Sequence, residues 1–100
     1  MKTWFVRLIP PRPTFDKDFT DAEGEAMHKH FNYWKDLNDK GVCIFGGPVL
    51  DARGVFGIIV LVAATEDEAK SIVAADPSVV AGINKVEMAE MDVAFVPKHK

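Results

Sequence analysis

Side chains able to do chemistry are few in this chain, with three histidines and one cysteine among 100 residues. His28 and His30 lie two apart in a stretch with helical spacing. Their side chains therefore point about 200° apart and cannot share a metal ion. Cys43 is the single cysteine, and without a further His/Cys cluster no metal site is expected. His99 falls in the C-terminal tail, where solvation is expected. His30 is different. It adjoins Met27, Phe31 and Trp34, at the border of the stripe that a helix here would bury. A histidine so placed is partly desolvated, and a carboxylate partner would decide its charge near neutrality and suit it to proton transfer. The plainer role for a boundary histidine is a hydrogen bond to a backbone carbonyl. Asp51, Asp76 and the acids of the last strand are candidate carboxylates, and the pattern alone does not choose among them. Asp76 precedes Pro77, and Asp51 sits at a hairpin, so each also has a turn-shaping reading.

Gly46-Gly47-Pro48 is not a phosphate loop, because no lysine and hydroxyl residue follow it. Paired glycines in a strand mark a bulge, or a place where a ligand or another backbone comes close. Gly46, Gly47 and Pro48 are therefore candidate substrate-binding positions, together with Tyr33 and Trp34, which follow His30 on the same helix. The spacing of Phe31, Tyr33 and Trp34 is explained first by core packing. Cys43, with no activating base beside it in sequence, is expected as a buried, inert thiol. Glu66-Asp67-Glu68 complements a helix N-terminus and needs no calcium to explain it.

The elements that must position these residues follow from local pattern. Thr3 to Ile9 is rich in β-branched and aromatic types and reads as a strand. Pro10, Pro11 and Pro13 end it, and Pro10 to Phe19 is expected as a long loop able to act as a lid. Thr20-Asp21-Ala22-Glu23 fits a capping box, after which Met27, Phe31, Trp34 and Leu37 recur at helical spacing up to Gly41. Val42 to Leu50 and Val55 to Ala63 read as strands joined by the turn Asp51-Ala52-Arg53-Gly54. Thr65-Glu66-Asp67-Glu68 fits a second capping box, with Ala69, Ile72 and Val73 on the apolar face. Asp76-Pro77 breaks that helix, and Pro77 to Ala81 is expected as one further turn. Lys85 to Val96 closes the order as a strand, followed by a solvated tail from Pro97 to Lys100. The order β-α-β-β-α-β predicts one α+β domain, ferredoxin-like, with a four-stranded antiparallel sheet and two helices on one face.

The other face of that sheet predicts a partner. A sheet face in water alternates polar with apolar residues, yet Val55 to Val62 carries no polar side chain. In the last strand Val86 and Met88 fall on one parity and Met91, Val93 and Phe95 on the other, unless a bulge near Ala89 or Glu90 intervenes. A second copy of the sheet is the expected cover, making a homodimer, with the Pro10 to Phe19 loop as the competing cover. The formal charge of −3 gives no reason to expect nucleic acid or an anionic membrane. No apolar run is long enough to span a bilayer or to serve as a signal peptide, and one cysteine fits a reducing compartment, so a cytoplasmic location is expected.

Three local patterns, in order, resemble the YCII-related family: His30 followed by Tyr33-Trp34 and Gly41, Phe45-Gly46-Gly47-Pro48 with Asp51 beyond, and Ala75-Asp76-Pro77 with Ala81-Gly82 shortly after. The resemblance runs from about Glu23 to Met91. It implies the dimeric α+β barrel fold and a histidine–aspartate centre, here His30 and Asp76. It also implies a small organic ligand, since some members look like lyases acting on halogenated or hydroxylated rings. A lyase or isomerase using His30 as general base would need no cofactor, and the chain carries no cofactor motif. The alternatives are a non-catalytic ligand-binding or regulatory dimer, in which the same pair fixes the pocket, and a plain structural dimer.

Overall fold

The computed structural model describes residues 1–97, so His99 lies outside the described residues. Strand β1 (Lys2–Ile9) turns Trp4, Val6 and Leu8 inward, while Thr3, Phe5 and Arg7 take the opposite face. Strands β2 (Cys43–Val49), β3 (Phe56–Ala63) and β4 (Lys85–Met91) complete a four-stranded antiparallel sheet in the order β2-β3-β1-β4. Helices α2 (Asp21–Asp39) and α3 (Glu66–Ala74) cover one face. Trp34, Ala69 and Val73 pack there on Trp4, Val6, Leu8, Ile59, Leu61 and Ala63. Val6 and Leu61 are 0% exposed, and each such aliphatic side chain contributes about 1.5–3 kcal/mol. This is the ferredoxin-like arrangement expected from the element order. No helix among the described residues is long and apolar enough to cross a membrane.

The Thr20 capping box forms in full: its hydroxyl accepts from the Glu23 amide at 3.2 Å, and the Glu23 carboxylate accepts from the Thr20 amide at 2.8 Å. At α3 only half forms, with Thr65 accepting from the Glu68 amide. Glu68 gives no reciprocal bond to the Thr65 amide, and Glu66 pairs with Lys70 one turn on. The segment expected as a loop contains one helical turn, α1 (Phe15–Asp18). Arg12 organises it, bonding Asp18 at 2.7 Å and gripping Glu23 with both terminal nitrogens at 3.0 and 2.8 Å. A second short turn, α4 (Pro77–Val80), follows α3.

β4 pairs with β1 without a bulge and stops at Met91, opposite Thr3, one residue short of the start of β1, so the strand expected to run on to Val96 ends there. Val86 and Met88 therefore face the helices, opposite Leu8 and Val6, while Ala89 and Met91 face away. The register shift lies in β2, between Cys43 and Phe45. Phe31 departs from the expected core, being 64% exposed. The face away from the helices carries Phe5, Phe45, Phe56, Ile58, Val60 and Val62.

Gly46 sits opposite Ile59 in the ladder. A Cβ there would lie 2.5 Å from Ile59 Cδ1 and 2.7 Å from the Ile58 carbonyl oxygen, whereas one at Gly47 would meet nothing within 4 Å. Gly46→Ala is expected to destabilise by about 1–3 kcal/mol and Gly47→Ala to stay within about 0.5 kcal/mol. Urea unfolding midpoints of the two variants check this, and equal effects would contradict the packing argument.

Candidate active site

His30 and Trp34 are one helical turn apart on α2, which puts both side chains on one face of the helix. Both reach the same atom. Asp76 Oδ2 lies 2.7 Å from His30 Nδ1 and accepts from Trp34 Nε1–H at 2.7 Å. The other oxygen, Oδ1, accepts from the Ser78 amide at 2.8 Å and the Ser78 hydroxyl at 2.9 Å. Asp76 is 0% exposed, and a carboxylate in that position costs several kcal/mol in lost hydration unless donors replace the water. Here both oxygens are fully engaged.

The turn that presents Asp76 is built locally. Asp76 is the N-cap of α4 and Pro77 its first helical residue, where a missing N–H costs nothing. Gly82, at φ 74°, then lets the chain fold back, so that the Ile83 and Asn84 amides both donate to the Ser78 carbonyl. That return brings Asn84 Nδ2 to 2.9 Å from Ser78 Oγ. The turn-shaping role and the histidine partnership thus coexist, one oxygen serving each.

A cleft of about 640 Å³ opens beside this centre, between α2 and strands β2 and β3. Its wall includes Leu8, Phe15, Met27, Trp34, Cys43 and Ile59, and Gly46, Gly47 and Pro48 also line it. His30, 18% exposed in its side chain, is on the wall, and Phe31 adds its exposed ring. Tyr33 does not line the cleft. Its ring packs edge-on against Trp34 and its hydroxyl donates to the Ile72 carbonyl, because position 33 faces α3 rather than β2. Asp51 does not reach His30 either. It closes the hairpin on Arg53, whose hydrogen bonds and charge hold its carboxyl down at about 2. Of the last-strand acids, Glu90 pairs with Lys2, and Glu87 lies opposite Arg7 on the far face. His28 is exposed and turned toward Asn32.

The YCII-related domain family matches residues 3–92. The chain belongs to that family. Among solved structures it is similar to 5-chloro-2-hydroxyhydroquinone dehydrochlorinase (TftG) from Burkholderia phenoliruptrix AC1100, in complex with 2,5-dihydroxybenzoquinone. That match has 22% identity and a TM-score of 0.66, over 89% of this chain and 93% of that one. A protein of unknown function, NE2512 from Nitrosomonas europaea, matches at 17% identity and a TM-score of 0.46, over 97% and 94%. No curated protein sequence matches.

Within this YCII-related domain, burial pushes the Asp76 pKa up. The hydrogen bonds from His30 and Trp34, the charge on His30 and the Ser78 amide together pull it below the usual carboxylate range. Burial raises the Cys43 thiol, which keeps it protonated and poorly nucleophilic. The described residues hold no cluster of three His, Cys, Asp or Glu side chains able to hold a metal ion. Sequence reasoning missed Ser78 and Asn84 altogether and took Trp34 for core or substrate contact. The available signal was the His30–Trp34 pair one turn apart, since a buried indole N–H needs an acceptor.

Because the folded pKa of Asp76 lies below its unfolded value, its contribution to stability is present above pH of about 4 and lost as pH falls through the folded value. Asp76→Asn is expected to cost about 1–3 kcal/mol at neutral pH and to flatten the acid side of the stability curve. Urea midpoints measured from pH 7 down to pH 2 check both. Parallel curves for the two proteins would contradict it.

Proposed function

We propose that this protein is a lyase or isomerase for a small organic molecule, with His30 as general base and Asp76 as the group that orients it. The observation that carries this reading is the 2.7 Å contact between His30 Nδ1 and the buried Asp76 carboxylate, beside the cleft. An ionised carboxylate accepts only, so it favours the proton on Nδ1 and leaves Nε2 as the basic nitrogen. Nε2 has no protein partner among the described residues. A substrate in the cleft would give its proton to Nε2, and the resulting imidazolium would be stabilised by Asp76. Loss of a leaving group, or return of the proton to another carbon, completes elimination or isomerisation, and neither needs a cofactor. Trp34 holds the same carboxylate oxygen. Gly46, Gly47 and Pro48 let the substrate lie close to the backbone, and the Arg12-clamped segment with Phe15 closes one end as a lid. The dehydrochlorinase activity named for the structurally similar protein is of this type, which makes chlorinated hydroquinones the first compounds to screen.

His30→Ala is expected to remain folded and to lose a factor of about 10² to 10⁴ in turnover. Chloride release and solvent deuterium uptake by candidate substrates, with circular dichroism as the folding control, measure this. Undiminished turnover in a folded variant would overturn the base assignment. Ligand binding with no product from any compound would favour the non-catalytic reading.

We further infer a homodimer through the sheet face turned away from the helices. Phe45 is 54% and Met91 40% exposed there, with Phe5, Ile58 and Val62 half-buried between them. Apolar surface of this kind on a small domain marks an interface. Ile58→Lys is expected to shift the sedimentation mass from twice that of the chain to that of one chain. A wild-type protein sedimenting as a monomer would rule the dimer out.

A further inference from the structure

Two tryptophans are buried in the core, and their indole N–H groups meet different acceptors. Trp4 Nε1–H donates to the neutral Ala63 carbonyl at 3.2 Å, whereas Trp34 Nε1–H donates to Asp76 Oδ2 at 2.7 Å. The shorter distance is that of a bond to an ionised acceptor. The same oxygen is the partner of His30 Nδ1, again at 2.7 Å. One atom therefore serves two donors, and of the two only the imidazole can hand its proton over.

The surroundings of Nδ1 fix where the ring proton sits. Ser78 Oγ, 3.3 Å away, gives its own hydrogen to Asp76 Oδ1 at 2.9 Å and takes one from Asn84 Nδ2 at 2.9 Å. Toward Nδ1 it has only a lone pair to show. Nδ1 thus faces acceptors alone and carries the proton. Once Nε2 gains a second proton, the basicity of Asp76 decides whether the first stays on the ring. Burial favours the neutral acid, so a carboxylate with His30 as the sole donor to Oδ2 would draw the proton across. Among the described residues no cation other than His30 lies within 4 Å of Asp76. Tyr33, the other titratable group near it, donates its hydroxyl to the Ile72 carbonyl, and burial and the Asp76 charge raise its pKa. Restraint of Oδ2 falls to Trp34.

We infer that Trp34 is a positioning residue for the His30–Asp76 pair: by sharing Oδ2, its indole N–H holds the carboxylate ionised and keeps the Nδ1 proton on the imidazole. The placement of the proton rests on the geometry, and only its consequence in catalysis rests on the proposed function. In that reaction a substrate proton passes to Nε2 and His30 becomes an imidazolium. Asp76 remains an anion throughout, and the proton leaves again from Nε2.

The test reads the Nδ1 proton of His30 by NMR at alkaline pH, in the wild type and in Trp34→Phe, which keeps an aromatic ring and loses the donor. The two roles open to Trp34 give opposite signs. Where it shares Oδ2, removing its N–H strengthens the remaining bond, and the Nδ1 proton moves downfield. Where it only packs, the smaller ring loosens the pair, and that proton moves upfield or stays. A downfield shift is expected. The Asp76 carboxyl carbon is expected to titrate about one pH unit higher in the variant, the size of one hydrogen bond to a charged group. An upfield or unchanged Nδ1 proton, or an unchanged Asp76 titration, would overturn the inference. If Trp34→Phe does not fold, the wild type decides: the Trp34 indole proton is expected well downfield of that of Trp4, and equal positions would sink the sharing argument. A ring proton found on Nε2 removes this inference and the base assignment together. An Nδ1 proton insensitive to Trp34 removes this inference alone, and turnover surviving in His30→Ala removes the base assignment alone.

Discussion

A carboxylate that water cannot reach must be surrounded by donors or give up its charge. In this fold that demand falls on Asp76, and it is met from two parts of the chain far apart in sequence. The donors to Oδ1 come from the turn that Asp76 itself begins. Those to Oδ2 come from the middle of α2. The carboxylate ties the second half of the β-α-β-β-α-β order to the first, at the point where the cleft opens.

That tie shows how one carboxylate can shape its own turn and also hold a histidine on another helix. A capping aspartate ordinarily spends its side chain on its own helix. Here a single oxygen is enough for capping, because Ser78 supplies both donors to it. The other oxygen is left aimed at α2, where His30 and Trp34 are one turn apart and cannot both face it unless the helix is rotated correctly. The helix rotation is set by the core, through Trp34 among the buried residues on β1 and β3. Packing and polar satisfaction thus agree on one arrangement, and that agreement makes the orientation of the imidazole specific.

Much of this was legible from particular residues. The strand runs, the Thr20 capping box and the Asp76-Pro77 break gave element order, and order gave fold. His30 stood out because it borders an apolar stripe. The role of Trp34 was hidden because its spacing fits a core position equally well, and it is one. Phe31 shares that spacing but ends 64% exposed, since the cleft opens where a core position would have been filled. Tyr33 follows the same helix yet turns toward α3. Ser78 and Asn84 were invisible, because nothing in a serine or an asparagine near a turn distinguishes a surface polar residue from a buried relay.

What the amino-acid order determined by itself was local: where strands and helices start and stop, which side of each is apolar, and which residues could carry a proton. These depend on short-range sterics, capping and periodicity, all within a few residues. Which aspartate meets His30 was beyond its reach, since Asp51, Asp76 and the acids of β4 are all plausible neighbours until the chain is packed. Only the tertiary structure decided it. The contact spans 46 positions, and it forms because burial removes water from Asp76 and leaves α2 to supply the donors to Oδ2.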